Sequence, residues 1–204
     1  MKSNSKNLLL IFTRNPELGK VKTRLAKDVG DETALEIYKF LIEYTVSVTK
    51  DLSVEKEVHY SVNIRENDLW DNAIFSKKLQ QGENLGERMH YAFEQGFKAG
   101  YQNIIIIGSD LYDLNKEDLA EAFVDLQEYD AVVGPAEDGG YYLLGMNFLN
   151  SQVFKNKNWG TDSVLQDTLK DLKNKNVKLL EPRNDVDYLE DIQDVAIFQK
   201  FLKK

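Results

Sequence analysis

The 204-residue chain has no cysteine, two histidines and three prolines. Without a thiol there is no disulfide framework, no thiolate zinc site and no cysteine nucleophile, so a bound metal must be held mainly by oxygen ligands. His59 and His90 alone cannot build a histidine-rich metal site. Three prolines and 12 glycines exclude collagen-like or proline-rich architecture. No apolar run approaches the roughly 20 residues of a membrane helix, which argues against membrane insertion. Basic charge is scarce too. The 26 Lys and Arg stand against 34 Asp and Glu, a net charge of −8, whereas a general grip on nucleic acid needs clustered cations to neutralise phosphates. The polar N-terminal stretch leads into only five strongly apolar residues, 8–12, shorter than the core of a secretion signal. A cytoplasmic protein that does not bind nucleic acid is expected.

What is present, 42% apolar and 29% charged residues, suffices for one domain over residues 1–204, with 1–7 as a flexible tail. Short apolar runs alternate with segments of helical period, the pattern of an α/β protein with a mostly parallel sheet between helices. Leu8-Leu9-Leu10-Ile11-Phe12 is continuous rather than alternating, as in a strand buried on both faces. Asp31 can cap a helix carrying Ala34, Tyr38, Leu41, Thr45 and Val48 inward. Val58, Tyr60 and Val62 alternate as a second strand with one wetter face. Leu85, Met89, Phe93 and Phe97 mark another helix, and the run Ile104 to Ile107 predicts a central strand. Asn115 can cap a helix through Leu126. Strands follow at 131–134, at 141–146 with antiparallel pairing suggested, and at 177–180. Thr161 can cap a helix through Leu172, and residues 188–201 read as a terminal helix.

In an open α/β sheet the ligand crevice lies beyond the carboxyl ends of the strands. Residues 13–27, directly after the first strand, hold Arg14, Lys20, Lys22, Arg24 and Lys27 against the single acid Glu17. In so acidic a chain this concentrates positive potential at one strand end, which suits a polyanion; a solvated basic helix start is the alternative. Gly19 lets the backbone turn close to a ligand. The segment is not a Walker loop, and no Gly-x-Gly-x-x-Gly fingerprint occurs.

Gly108-Ser109-Asp110 ends the isoleucine run. Asp110 is placed to hold a hard divalent cation, Mg²⁺ or Mn²⁺, which typically takes one or two carboxylates together with phosphate oxygens and waters; a simple turn cap is the alternative. Asp185-Val186-Asp187 offers two acids at alternate positions, of which Asp187 is taken as the second metal ligand and Asp185 as a local cap. Asp138, in Asp138-Gly139-Gly140, is either a general base near an acceptor hydroxyl or part of a hairpin turn. His59 and His90 read as structural, and Trp70 and Trp159 as core or pocket rim.

These stretches together resemble the bacterial GT-A-like transferases known as radical-SAM/selenodomain-associated transferases, or arsenosugar-biosynthesis glycosyltransferases. They lie within the nucleotide-diphospho-sugar transferase superfamily, which also contains nucleotidyltransferases. The similarity rests on Arg14-Asn15-Pro16, residues 19–25, Gln81-Gly82 with residues 85–89, Gly108-Ser109-Asp110, Gly134-Pro135-Ala136 followed by residues 138–145, Trp159 with Thr161, and Asp185-Val186-Asp187. It implies a Rossmann-like three-layer GT-A fold with Arg14, Lys20, Lys22 and Arg24 on phosphates. It implies Gln81, Gly82 and Asn84 near base or ribose, Asp110 and Asp187 on the metal, and Asp138, Gly139, Gly140, Tyr141 and Trp159 facing the acceptor. Two positions depart from the family's usual pattern: Leu111-Tyr112 stands for Cys-Pro, predicting a looser turn, and Tyr188 stands for Thr.

The expected activity is metal-dependent glycosyl transfer from a nucleotide-diphospho-sugar to a small-molecule acceptor, with Asp110 and Asp138 as catalytic residues. Nucleotidyl transfer to a phosphorylated small molecule with release of pyrophosphate is the alternative. Nucleotide binding without catalysis is the third.

Overall fold

A computed structural model of the protein describes residues 6–203. Its seven-stranded sheet has the order β3-β2-β1-β4-β6-β5-β7, formed by β1 (Asn7–Thr13), β2 (Glu55–Tyr60), β3 (Ser76–Leu79), β4 (Asn103–Ile107), β5 (Ala131–Pro135), β6 (Tyr141–Met146) and β7 (Val177–Leu179). Only β6 runs antiparallel to its neighbours, pairing with β4 and β5. The isoleucine strand occupies the middle of the sheet, as its unbroken hydrophobicity predicts.

The two sides of β1 and β4 divide the core by the two-residue period of a strand. Leu9, Ile11, Ile105 and Ile107 pack with Tyr38 and Ile42 of α2 (Asp31–Thr49) and Leu119 and Phe123 of α4 (Lys116–Asp125). Leu8, Leu10, Ile104 and Ile106 face the opposite side, against Met89 and Phe93 of α3 (Leu85–Lys98) and Leu165 and Leu169 of α5 (Val164–Asp171). A third cluster is built differently: Val186, Ile192 and Phe198 are fully buried against Ile37 and Leu41 of α2 and Leu25. That cluster clamps the C-terminal segment onto the sheet's carboxyl end.

The structure corrects several local expectations. Asn7 belongs to β1, so the expected tail does not reach it; residues 1–5, the rest of that expectation apart from Lys6, lie outside the described residues, as does Lys204. Val62 falls beyond β2 and is 65% exposed. The edge strand β3 was not expected, because Ser-Lys-Lys-Leu carries no apolar alternation and is ordered by its pairing with β2. Gly30, at φ 82°, separates the short α1 (Ala26–Val29) from α2, so Asp31 is the first residue of the helix rather than its cap. Thr161 donates to the Asn158 carbonyl, and Ser163 precedes α5 in the cap position.

The expected terminal helix is broken into two 3₁₀ turns, Leu189–Asp191 and Ala196–Phe198, and α6 (Gln199–Leu202). The Asp191 carboxylate accepts the backbone N–H groups of Asp187 and Tyr188 at 2.8 and 2.6 Å. Asp191 is the third residue of the first 3₁₀ turn, so its carboxylate satisfies N–H groups at the start of that turn. Asn115 caps α4 in a full capping box with Asp118.

Candidate active site

Strand order reverses direction around β1, with β2 on one side and β4 on the other, and this switch point opens at the carboxyl ends of both strands. A cleft of about 970 Å³ lies there, lined by Arg14, Lys20, Lys22 and Arg24 from the basic loop and by Asp110, Asp138, Asp185 and Asp187. The loop after β1 is tied down from beneath. The Tyr38 hydroxyl, buried on α2, accepts the Arg14 N–H at 2.8 Å and lies 3.1 Å from the Ser109 hydroxyl, which donates to Thr13 Oγ1 at 3.1 Å. One helix side chain thus joins the end of β1 to the residue beside Asp110, and its burial pushes the phenol pKa up.

The basic loop does not present all its charges alike. Arg14 is exposed at the cleft wall, and Lys20 pairs with Glu17 at 2.8 Å. Lys27 lies on α1, exposed. Lys22 turns inward, its backbone in the left-handed region at φ 47°, a conformation uncommon outside glycine. Its side chain is only 5% exposed, and Nζ donates to Asp110 at 3.1 Å and to Asp187 at 3.0 Å. The expectation of Lys22 on phosphates is therefore modified: its ammonium is engaged by the two carboxylates. Arg24 donates to the other Asp187 oxygen at 3.0 Å while its guanidinium lies 5.6 Å from the Tyr188 ring centroid.

The structure adds Asp185 to the acids. One oxygen from each of Asp110, Asp185 and Asp187 lies within 4.8 Å of the others. Val186, fully buried between them in sequence, anchors the segment and holds both neighbouring side chains at the cleft. Burial, followed by the like charges of Asp110 and Asp187, pushes the Asp185 carboxyl up to about 6 despite the attraction of Lys22. Lys22 is held up at about 12 because Asp110 and Asp187 outweigh its own desolvation. An oxygen-only cluster in which two carboxylates raise the cost of ionising a third, Asp185, fits a hard divalent cation.

The turn after Asp110 is not loose. Leu111 is buried, Tyr112 packs edge-on against Phe198 with centroids 5.1 Å apart, and the Asp110 carbonyl accepts the Val186 N–H at 3.3 Å.

At the other end of the cleft the expected trio divides. Asn84 lines the cleft but is also the N-cap of α3, accepting the Glu87 N–H at 3.0 Å. Gln81 and Gly82 are exposed and do not line it. Gln80 and Arg88 do: Gln80 is held by the His59 carbonyl at 2.9 Å, and Arg88 donates to the Gly82 carbonyl at 3.0 Å and to Gln80 at 3.3 Å.

Asp138 lies in the β5–β6 connection, its Oδ1 accepting the Gly140 N–H at 2.8 Å, so the hairpin reading holds, and it faces the cleft as well. Gly139, at φ 87°, lies against Asp162, where a Cβ would sit 2.4 Å from the backbone. This draws the turn against the start of the α5 region. Beyond Asp138 a second pocket of about 240 Å³ opens, walled by Gly140, Tyr141, Trp159, Phe12 and Met89. Gly86 lets Trp159 approach α3, since a Cβ there would meet the indole at 2.8 Å. His59 is buried against Glu57 and Phe12, His90 bonds Ser151, and Trp70 is buried against Phe75.

Tyr38, Gln80 and Arg88 line the cleft although the sequence had given none of them a role there, Arg88 standing only within the 85–89 motif, and Asp185, read from the sequence as a local cap, joins the acidic cluster.

No curated protein matches the sequence. Among solved structures, a provisionally assigned nucleotide-diphospho-sugar transferase from Desulfovibrio desulfuricans G20 is 32% identical, with 98% of this chain and 94% of that one covered and a TM-score of 0.87. The fold is shared more distantly with 4-diphosphocytidyl-2C-methyl-D-erythritol synthase from Anaerococcus prevotii DSM 20548, at 8% identity, 96% and 100% coverage and TM-score 0.53. It is also shared with CMP:2-keto-3-deoxy-manno-octonic acid synthetase in complex with CTP, at 12% identity, 96% and 99% coverage and TM-score 0.51. The family model described as "Uncharacterized protein conserved in bacteria (DUF2064)" matches residues 45–161. With more than half its length matched, and with the GT-A-like sheet and reversed β6 described above, the chain belongs to the DUF2064 family.

Proposed function

We propose that the protein is a divalent-metal-dependent glycosyltransferase of the cytoplasm, taking a nucleotide-diphospho-sugar donor and a small-molecule acceptor. The observation that carries this is the meeting of the Asp110, Asp185 and Asp187 oxygens, within 4.8 Å of one another, with the basic loop at the carboxyl ends of β1 and β4. The likeness to the Desulfovibrio protein supports it, since it extends over nearly the whole of both chains.

Asp110 and Asp187 would hold Mg²⁺ or Mn²⁺, with Asp185 beside them. Bound there, the ion supplies positive charge against the departing nucleoside diphosphate. Arg14, Lys20 and Arg24 at the cleft receive phosphate oxygens in this reading, and fixed donors of this kind stabilise charge on a leaving group without reorganisation. Lys22 ties Asp110 to Asp187 and keeps the two carboxylates in register, and it lines the cleft, where its ammonium serves phosphate as well in this reading. Gln80, Asn84 and Arg88 border the space for base and ribose, and the Gln81-Gly82 turn shapes it through the Arg88 contact. Asp138 stands between cleft and second pocket, where a general base can take the acceptor's proton.

A second reading, nucleotidyl transfer, has behind it the fold shared with the two cytidylyl-transferring enzymes. The products separate them. The test incubates the protein with nucleotide sugars of each base and Mg²⁺ or Mn²⁺, and separately with nucleoside triphosphates, and follows stability and products. Ligands that bind only the folded state stabilise it by about 2.7 kcal/mol at a hundredfold excess over Kd. A metal-dependent rise with nucleoside diphosphates and nucleotide sugars, abolished in Asp110→Asn, is expected. Pyrophosphate as the product would establish the second reading, and unchanged metal-dependent turnover in Asp110→Asn would refute the role given to the acidic cluster.

A further inference from the structure

The cleft and the pocket behind Asp138 share a rim but not a chemistry. The cleft carries cations: Arg14, Lys20, Lys22, Arg24 and Arg88 all line it. The pocket, about 240 Å³, is lined by no lysine, arginine or histidine among the described residues. Its walls are Phe12 from β1, Met89 from α3, Tyr141 and Tyr142 from β6, and Trp159, and its ionisable groups among the described residues are, besides the tyrosines, Asp110, Asp138 and Asp185. All three acids also line the cleft, so they sit where the two spaces join. The tyrosines add no negative charge near neutral pH, because burial pushes the Tyr141 and Tyr142 hydroxyls above their ordinary pKa.

A phosphate monoester in such a pocket would surrender its hydration to aromatic and aliphatic walls, beside the Asp138 carboxylate and with no basic side chain among the described lining residues to pair with. Desolvating an ion without a partner is strongly unfavourable, and nearby like charge adds to the cost. An uncharged or cationic group meets no such penalty, and a cation gains from the aromatic faces. The volume is ample for one ring, since a lined cavity of about 150 Å³ already admits benzene.

We propose that this pocket receives the acceptor, and that the acceptor is a non-anionic molecule with a compact ring or apolar body, presenting its nucleophile to Asp138 at the junction. The proposal rests on the transferase reading and deepens it. It separates the substrates by charge: the polyanionic donor lies along the basic cleft, and the acceptor lies where anions are excluded.

The experiment is calorimetric titration of the full-length protein, with and without Mg²⁺, using benzyl alcohol, benzylamine and benzyl phosphate as matched probes. Benzyl alcohol and benzylamine are expected to bind saturably, and at least tenfold more tightly than benzyl phosphate. Thr161→Lys adds a cation at an exposed position of the pocket wall. It is expected to improve benzyl phosphate severalfold and to weaken benzylamine. Benzyl phosphate binding as tightly as the alcohol in the unaltered protein overturns the proposal, as does the absence of saturable binding by any probe. Thermal stabilisation by nucleoside diphosphates with Mg²⁺ is measured in the same samples. If it persists while the probes fail, the pocket assignment falls alone; if it is absent, the transferase reading falls with it.

Discussion

Replacing Asp185 with asparagine tests whether the three carboxylates are crowded at a cost to the fold. In the native state burial and the neighbouring Asp110 and Asp187 raise this carboxyl from its ordinary 3.8 to about 6. A shift of that size corresponds to about 3 kcal/mol between the two protonation states. The native chain holds the proton more tightly than the unfolded chain, so stability falls as pH rises between these values, and the whole penalty is present above the native pKa. Asp185→Asn removes it. In EDTA, urea denaturation should find the variant more stable by about 3 kcal/mol at pH 7.5 and by about 1 kcal/mol at pH 4.5, from the same linkage. For a chain of this size 3 kcal/mol is about 6–12 °C in Tm. Saturating Mg²⁺ should narrow the gap by stabilising the parent more than the variant, because a ligand that prefers the native state adds to its stability. A variant no more stable than the parent at pH 7.5, or a difference that does not shrink toward pH 4.5, would refute the crowding argument.

Three further outcomes are expected. Lys22→Met leaves Asp110 and Asp187 without the ammonium between them. Because both carboxylates are about a third exposed, the cost in EDTA should be about 1–3 kcal/mol, below that of a wholly buried pair, with part recovered by Mg²⁺; unchanged stability by urea denaturation would contradict it. Gly86→Ala places a Cβ 2.3 Å from the Phe154 carbonyl and 2.8 Å from the Trp159 indole, so it should cost about 1–3 kcal/mol and shift the tryptophan emission. Asn115→Ala breaks the capping box of α4 at a distance from the cleft; thermal melts should show a loss of about 1 kcal/mol with the nucleotide response intact.

Hydrophobic pattern made the sheet's interior legible. Leu8 to Phe12 and Ile104 to Ile107 lie where unbroken apolar runs belong, and α3, α4 and β6 follow their expected periods. Elements without such a pattern were not legible. Strand β3 is held by its neighbour β2, and the C-terminal segment is shaped by the Asp191 hydrogen bonds and by the burial of Ile192 and Phe198.

The site divides in the same way. The local chain alone placed Arg14, Lys20, Lys22 and Arg24 after one strand and Asp110 after another, because strand ends in an α/β sheet face one crevice. Residue type and position sufficed for that. Tertiary structure decided what these groups do to one another. It brought Asp185 and Asp187 across more than 70 positions to Asp110, drew Lys22 between two of them and set the Tyr38 hydroxyl beneath both strand ends. It also gave the pocket beside Trp159 a lining with no basic side chain among the described residues. Coulombic and desolvation energies depend on distance and burial, and neither is a property of sequence separation.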